Sequence, residues 1–249
     1  MLTKDDAICI RTIDYSETSQ IVTFFAKATG KIGAIAKGSK RARSAFDGPI
    51  ELFAHGKIVF SDSSREKLAT LTEFQQQPAL ADLNRDIYVF NCCLFAAELV
   101  NLLTKEYDPH PGLFDCFLQF LCNADKRRET LDDRRNVLAL LVLFQLALLK
   151  EAGLSPVLDM CVNCKRKIQI SRSYPWFSSA ANGLICRDCE NSFPDKLPLA
   201  KDAVKSLADI KLIAAADAGT LTQIEKLLIS HFTYTLGRTP KMAKHILKT

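Results

Sequence analysis

Two C-x-x-C pairs, Cys161/Cys164 and Cys186/Cys189, are the residues of this chain whose type and spacing most plainly imply chemistry. A C-x-x-C turn presents two thiolates from one tight knuckle, and two knuckles complete a tetrahedral four-sulfur shell around one zinc ion. A closed shell leaves no position for water or substrate, so such a metal holds a loop in shape and performs no reaction. A redox C-x-x-C stands alone beside a βαβ pattern, whereas here there are two, each next to turn-forming residues (Asn163, and Arg187 with Asp188). Paired disulfides are the other rival reading. The remaining cysteines, Cys9, Cys92, Cys93, Cys116 and Cys122, lie in apolar segments and read as small buried hydrophobes. The odd total of 9, with no signal peptide ahead of Ile8, points to a reducing cytoplasm.

Other reactive constellations are missing. Gly33 to Lys40 reads G-x-x-x-x-G-S-K, but a phosphate loop needs its lysine directly after the second glycine and a following Ser or Thr for magnesium, so the match is rejected. There is no HExxH, no GxSxG and no deaminase signature. The histidines, His55, His110, His231 and His245, are scattered and read as surface or packed side chains. No carboxylate/histidine cluster offers an open metal site, which disfavours a metal-dependent nuclease or hydrolase. The expectation is a protein that is not an enzyme.

The second informative group is cationic. Between Glu17 and Asp47 there is no acidic residue, yet Lys27, Lys31, Lys37, Lys40, Arg41 and Arg43 all fall there. Lys37-Gly-Ser-Lys-Arg-Ala-Arg43 is a glycine-containing turn suited to tracking phosphates. In an oligonucleotide-binding (OB) barrel, a basic groove with exposed aromatics binds single strands by stacking and electrostatics. Phe24 and Phe25 sit mid-strand and read as core, while Phe46, beside the turn, is left open between core and surface.

Elements must position these groups. The chain has 249 residues, 48% of them hydrophobic, and a net charge of +5, enough for a substantial core and only mildly basic. Its longest apolar run, Val137 to Leu149, would span about 20 Å as a helix, short of a bilayer, and reads as a buried helix with no membrane role. Short apolar or alternating runs at Ala7 to Ile13, Gln20 to Phe25, Lys31 to Ala36, Glu51 to Phe60 and Leu68 to Phe74 predict a small closed β-barrel. From Pro78 the periodicity turns helical: Ile87 to Lys105, Leu113 to Asn123, Leu131 to Ala152, Lys201 to Ala215 and Thr220 to Leu236. The expected fold is α+β and multidomain. A barrel at 1–78 precedes an all-helical domain at 79–249, with a four-cysteine, zinc-finger-like loop inserted at about 158–193.

Three segments together resemble one family. They are Asp14-Tyr-Ser-Glu17 followed by Gly30; Ala36-Lys-Gly-Ser-Lys-Arg-Ala-Arg-Ser44; and Gly153-x-x-Pro156 leading into the cysteine pairs, with Gly183 ahead of the second. The chain is similar over its full length to RecO, the bacterial recombination mediator. The resemblance implies an OB-fold that binds single- and double-stranded DNA and anneals strands coated by single-strand binding protein (SSB). It further implies partnership with RecR and, indirectly, with RecA, which is loaded onto the coated strand at the nucleoid. By position, Lys37, Lys40, Arg41 and Arg43 become phosphate contacts, joined by Lys31 from the same basic strip, and Cys161, Cys164, Cys186 and Cys189 hold one structural zinc. The acidic, apolar SSB tail needs an apolar groove rimmed by cations, and the helical surface around Leu131 to Ala152, with Arg134 and Arg135 at one end, is the candidate. Lys165, Arg166, Lys167, Arg172 and Arg187 on the metal loop, and Arg238, Lys241, Lys244 and Lys248 near the C-terminus, are secondary basic surfaces. The alternative is a zinc-ribbon adaptor that binds RNA or a protein in transcription or translation.

Overall fold

In the computed structural model, residues 2–41, 44–46, 48–61, 68–78, 80, 83–126, 131–168 and 175–247 are described, with backbone alone at 131–133. Arg43, Arg172 and Lys248 lie outside the described residues. Two compact units are present: Met1–Asn84 with Ala97–Asp125, and Arg85–Ala96 with Lys126–Thr249.

The first unit is built on a closed five-strand barrel, β1 (Leu2–Asp14), β2 (Gln20–Ala26), β3 (Gly30–Ala36), β4 (His55–Ser61) and β5 (Ala69–Gln76), in the order β1-β2-β3-β5-β4. In a closed barrel every strand serves two neighbours, and long β1 does so largely with different stretches of its length. β1 pairs through Leu2–Ile8 with β4 and through Ala7–Asp14 with β2, and a register shift between Cys9 and Arg11 lets it bend. Four of the five seams are antiparallel; the fifth, β3 with β5, is parallel and joins Ala34, Ile35 and Ala36 to Ala69, Thr70 and Leu71.

Alternation along the strands sorts the side chains. Val22, Phe24, Ile32, Ala34, Phe60 and Phe74 belong to the barrel core, and Phe24 meets Phe74 edge to ring at 5.5 Å. The small alanines let the wall close around these rings. Phe46, left open by the sequence, is 5% exposed and belongs to this core, so it is not a stacking surface. The strand expected from Glu51 starts only at His55. Residues 51–54 instead form a turn with Phe53 at φ 65, whose N–H donates to the Cys9 carbonyl at 2.8 Å while Cys9 N–H donates to Ala54.

Helices α1 (Ile87–Leu103) and α2 (Pro111–Asp125) follow, and the end of α1 and all of α2 fall within the barrel's unit. Phe114 of α2 packs on Phe25 at 6.1 Å between ring centres, and Lys27 pairs with Asp115 at 2.7 Å. Helix α2 and the last residues of α1 cover one end of the outward face of β2 and β3.

The second unit contains α3 (Leu131–Glu151), α4 (Lys201–Ala208), α5 (Ala218–Leu236) and the short α6 (Ala243–Ile246). The single helix expected from Lys201 to Ala215 breaks at Asp209, whose carboxylate caps a separate 3-10 segment, Ile210–Ala215, by accepting from Lys211 N–H. α3 ends in a Schellman motif: Gly153, at φ +69, donates to Lys150 O at 3.0 Å, and Leu154 donates to Leu149 O at 2.8 Å. That turn sends the chain into a small sheet of β6 (Trp176–Ser178), β7 (Gly183–Ile185) and β8 (Leu197–Pro198), ordered β7-β6-β8.

Candidate nucleic-acid interface and metal centre

The cysteine pairs converge. Cys161 opens a knuckle in which its N–H donates to Arg166 O and its carbonyl accepts from Lys165 N–H, both at 2.9 Å, with Lys165 in the left-handed region at φ 60. Cys186 follows β7, and Cys189 lies in the 3-10 helix Arg187–Ser192 with its N–H donating to Cys186 O at 3.1 Å. The four sulfur atoms all lie within 4.8 Å of one another, and the Cys164 and Cys186 sulfurs are 3.7 Å apart. A tetrahedral zinc–thiolate centre with bonds of about 2.3 Å has sulfur–sulfur edges of about 3.8 Å. A disulfide requires about 2.05 Å. None of the nine cysteines is in a disulfide.

The donor set fits a metal electrostatically as well. Burial opposes charge on Cys161, but backbone N–H groups of Cys164, Cys186 and Asn163 outweigh it and bring the thiol down to about 6. Cys186 is pushed up to about 12 by burial and by its hydrogen bonds with Cys189, Cys161 and Cys164. Thiolates crowded together cannot all ionise alone, and a bound cation removes that conflict. Around the sulfurs, Asn163 Nδ2 donates to Cys189 Sγ at 3.3 Å and Cys186 N–H donates to Cys161 Sγ at 3.4 Å. Val162, Ile168, Ile185 and Phe193 pack against the cluster. Gly183 has a local reason: a Cβ there would stand 2.5 Å from the Val157 carbonyl oxygen and 2.6 Å from Val162 Cγ1. Without it, the backbone ladder holding the first knuckle to β7, Leu184 N–H to Val157 O and Val162 N–H to Leu184 O, could not close at 2.9 Å.

The basic strip divides into committed and free cations. Lys31 Nζ donates to the carbonyls of Asn101 at 2.6 Å and Thr104 at 2.7 Å, so it caps the C-terminal end of α1. Its burial pulls its pKa down. The ammonium expected at phosphate thus already answers orphan helix carbonyls. Lys40 pairs with Asp14 at 2.7 Å. Lys37 and Arg41 are exposed and form no salt bridge among the described residues.

The turn carrying them is fixed from beneath. Gly38 takes φ +73, and Arg41 N–H closes the turn onto Gly38 O at 3.1 Å. Ser39, fully buried between the cations, donates to Gln20 Oε1 at 2.9 Å, and the same oxygen accepts from Ile50 N–H at 2.9 Å. Gln20 Nε2 donates to Thr12 Oγ1 and Ile50 O. The β1–β2 turn is stitched on as well, through Lys40 N–H to Thr18 O at 3.1 Å and Gly38 N–H to Ser19 Oγ at 3.2 Å. Sequence reading missed Gln20 and Ser39; a lone polar residue opening an apolar strand was the available signal.

Other candidate residues have partners of their own. Arg135 donates to Ala216 O at 2.8 Å, Ala214 O at 2.7 Å and Asn136 Oδ1 at 2.7 Å, closing the end of the 3-10 segment. It is therefore not a free rim cation. Arg134 is exposed, its guanidinium carbon 5.7 Å from the Tyr88 ring centre. On the metal loop, Lys165, Lys167 and Arg187 are exposed, and Arg166 pairs with Asp188 at 3.2 Å. Cys116 is exposed and Cys122 half-buried, against the expectation that both are core residues.

Comparison with known proteins covers both units. The family described as "Recombination protein O N terminal" matches residues 1–77, and "Recombination protein O C terminal" matches residues 84–245. A DNA repair protein RecO of Bacillus pumilus (strain SAFR-032) is 30% identical over 225 residues, 90% of this chain and 82% of that protein. Its counterpart in Rhodopirellula baltica is 31% identical over 204 residues, 82% of this chain and 73% of that protein. That of Shouchella clausii is 33% identical over 205 residues, 81% and 75% of the two chains.

Proposed function

The chain belongs to the RecO family of DNA repair proteins, and from that premise we propose that it is a non-catalytic mediator that binds and anneals DNA strands. The observation that carries this reading is the Lys37 and Arg41 pair, exposed on a glycine turn that Ser39 and Gln20 lock to the barrel. An annealer needs no reacting group. It must neutralise phosphates on two strands and then release the duplex, which cations on a fixed turn can do without sequence preference.

The four-cysteine centre holds one zinc per chain as a structural ion, Cys161, Cys164, Cys186 and Cys189 being its ligands. Zinc supplies only a fixed tetrahedral node between the two knuckles. The basic side chains Lys165, Lys167 and Arg187 around it form a second surface for a strand or a partner. The partners are single- and double-stranded DNA, SSB through its acidic C-terminal tail, RecR, and RecA indirectly, in the bacterial cytoplasm at the nucleoid. Arg134, rather than Arg135, is the cation free to meet an acidic tail. No helix among the described residues is long and apolar enough to cross a membrane.

The test mixes the purified chain with two complementary DNA strands precoated with SSB and follows duplex formation, with a matched RNA competitor. Accelerated pairing that DNA but not RNA competes away supports the mediator. RNA preference with no acceleration sinks it in favour of an adaptor.

A further inference from the structure

The outward face of β1, β2 and β3 is covered at one end and open at the other. Core side chains occupy one parity of β2 and β3 (Val22, Phe24, Ala34, Ala36), so Ile21, Thr23, Phe25, Lys31, Gly33 and Ile35 point outward. At the covered end Phe25 lies under Phe114, and Lys31 reaches the carbonyls of Asn101 and Thr104. At the other end Ile13, Ile21 and Ile35 stand in one cross-strand row. Ile13 is 43% exposed and Tyr15, just beyond it, is 64% exposed. The Tyr15 ring meets no aromatic or cationic partner among the described residues, although its N–H donates to Ser19 O at 3.0 Å and so fixes its backbone. Nothing in the packing of the barrel accounts for a tyrosine held out into solvent there.

The turn bearing Tyr15 is the one stitched to the cationic turn, by Lys40 N–H to Thr18 O, Gly38 N–H to Ser19 Oγ, and the Asp14–Lys40 ion pair at 2.7 Å. A flat aromatic ring beside an apolar strip and two free cations has the parts of a single-strand platform: the ring takes a base and the cations take the flanking phosphates. A duplex offers phosphates but keeps its base faces stacked inside.

We propose that Tyr15 stacks on an unpaired base, with the row Ile13, Ile21 and Ile35 continuing the platform, and that this contact distinguishes single strands from duplex at the Lys37/Arg41 turn. The inference rests on the DNA-binding reading above and assigns to one residue the strand preference within it.

The experiment measures binding of the full chain to a labelled oligothymidine and to a labelled hairpin duplex over a salt series. Loss of one base–aromatic stack corresponds to about 5- to 150-fold in affinity. Tyr15→Ala is expected to weaken the single strand by that range while changing duplex affinity less than about twofold, with the salt slope unchanged because stacking releases no counterions. Tyr15→Phe keeps the ring and restores binding. An abasic strand binds the parent chain as weakly as the normal strand binds Tyr15→Ala. The inference is overturned if Tyr15→Ala leaves single-strand affinity intact, or weakens strand and duplex equally. A Lys37→Ala/Arg41→Ala chain separates the two levels. If it loses both ligands while Tyr15→Ala loses neither, only the stacking fails; if it loses neither, the DNA site at this turn fails with it.

Discussion

Gln145 Nε2 donates a 2.9 Å hydrogen bond to Glu225 Oε1, and both side chains are fully withdrawn from solvent. Burial raises the Glu225 carboxyl from 4.5 to about 7, against the smaller opposite pull of the Gln145 hydrogen bond. The native state therefore holds this proton up to about pH 7, whereas the unfolded chain releases it near 4.5. Stability from this group is fully present below the unfolded value and is lost as pH rises through the native one. Tyr88 and Cys92, which feel the same charge, are pushed upward by burial and stay protonated in that window. Glu225→Gln, which keeps an acceptor for Gln145, is expected to match the parent at pH 5 and to exceed it at pH 8 by on the order of 2–3 kcal/mol. Denaturant unfolding at the two pH values checks this, and an equal difference at both refutes it. His231, whose pKa burial lowers, titrates in both proteins and cancels from the comparison.

Cys164→Ser removes one ligand from a set whose sulfurs lie within 4.8 Å of each other. Metal content measured on protein purified without chelator should fall from one zinc per chain towards none. The thermal midpoint should drop by about 5–15 °C, at roughly 2–4 °C per kcal/mol for a chain of this size. A parent protein with no metal and its sulfurs paired as cystines would refute the assignment.

Replacing Lys37, Lys40, Arg41 and Arg43 together by alanine should weaken DNA binding by orders of magnitude with the fold unchanged by circular dichroism. Each lost contact flattens the log–log salt dependence by about 0.7 on single strands and about 0.9 on duplex. Lys40 already pairs with Asp14, so restoring it alone should recover less affinity than restoring Lys37. An unaltered slope moves the DNA site to the metal-loop cations.

Lys31→Met should do the reverse. It deletes two charge-assisted bonds to Asn101 and Thr104, costing about 1.5–3 kcal/mol of stability. DNA affinity at matched fraction folded should stay within about twofold. A specific affinity loss without destabilisation would return Lys31 to the binding surface.

What was legible in the sequence was whatever repeats locally. Short apolar or alternating runs marked all five barrel strands and 3.6-residue spacing marked the long helices. Cysteine spacing anticipated the convergence of the four sulfurs because each knuckle is a local turn. What stayed hidden depended on distant partners. Lys31 belonged to a one-signed charge run, but its acceptors lie 70 and 73 residues away. Arg135 caps carbonyls about 80 residues on, as its 81- and 79-residue separations record. Phe46 was left open and Gln20 was missed for the same reason: only closure of the barrel decides that one ring points in and one amide ties two loops together.

The parallel seam between β3 and β5 rests on the pairs Ala34–Ala69, Ile35–Thr70 and Ala36–Leu71, fewer than any other seam of the barrel. Parallel pairing is weaker per residue, and the paired residues lie 35 positions apart in the chain. With the fewest pairs and parallel geometry, the seam should be the first to open in native breathing, and its amides should exchange with solvent ahead of those between β1 and β2. Lys37 follows the seam directly in the chain, yet the turn it opens is tied to the β1–β2 turn and to Gln20, so the cations can keep their places while the seam opens.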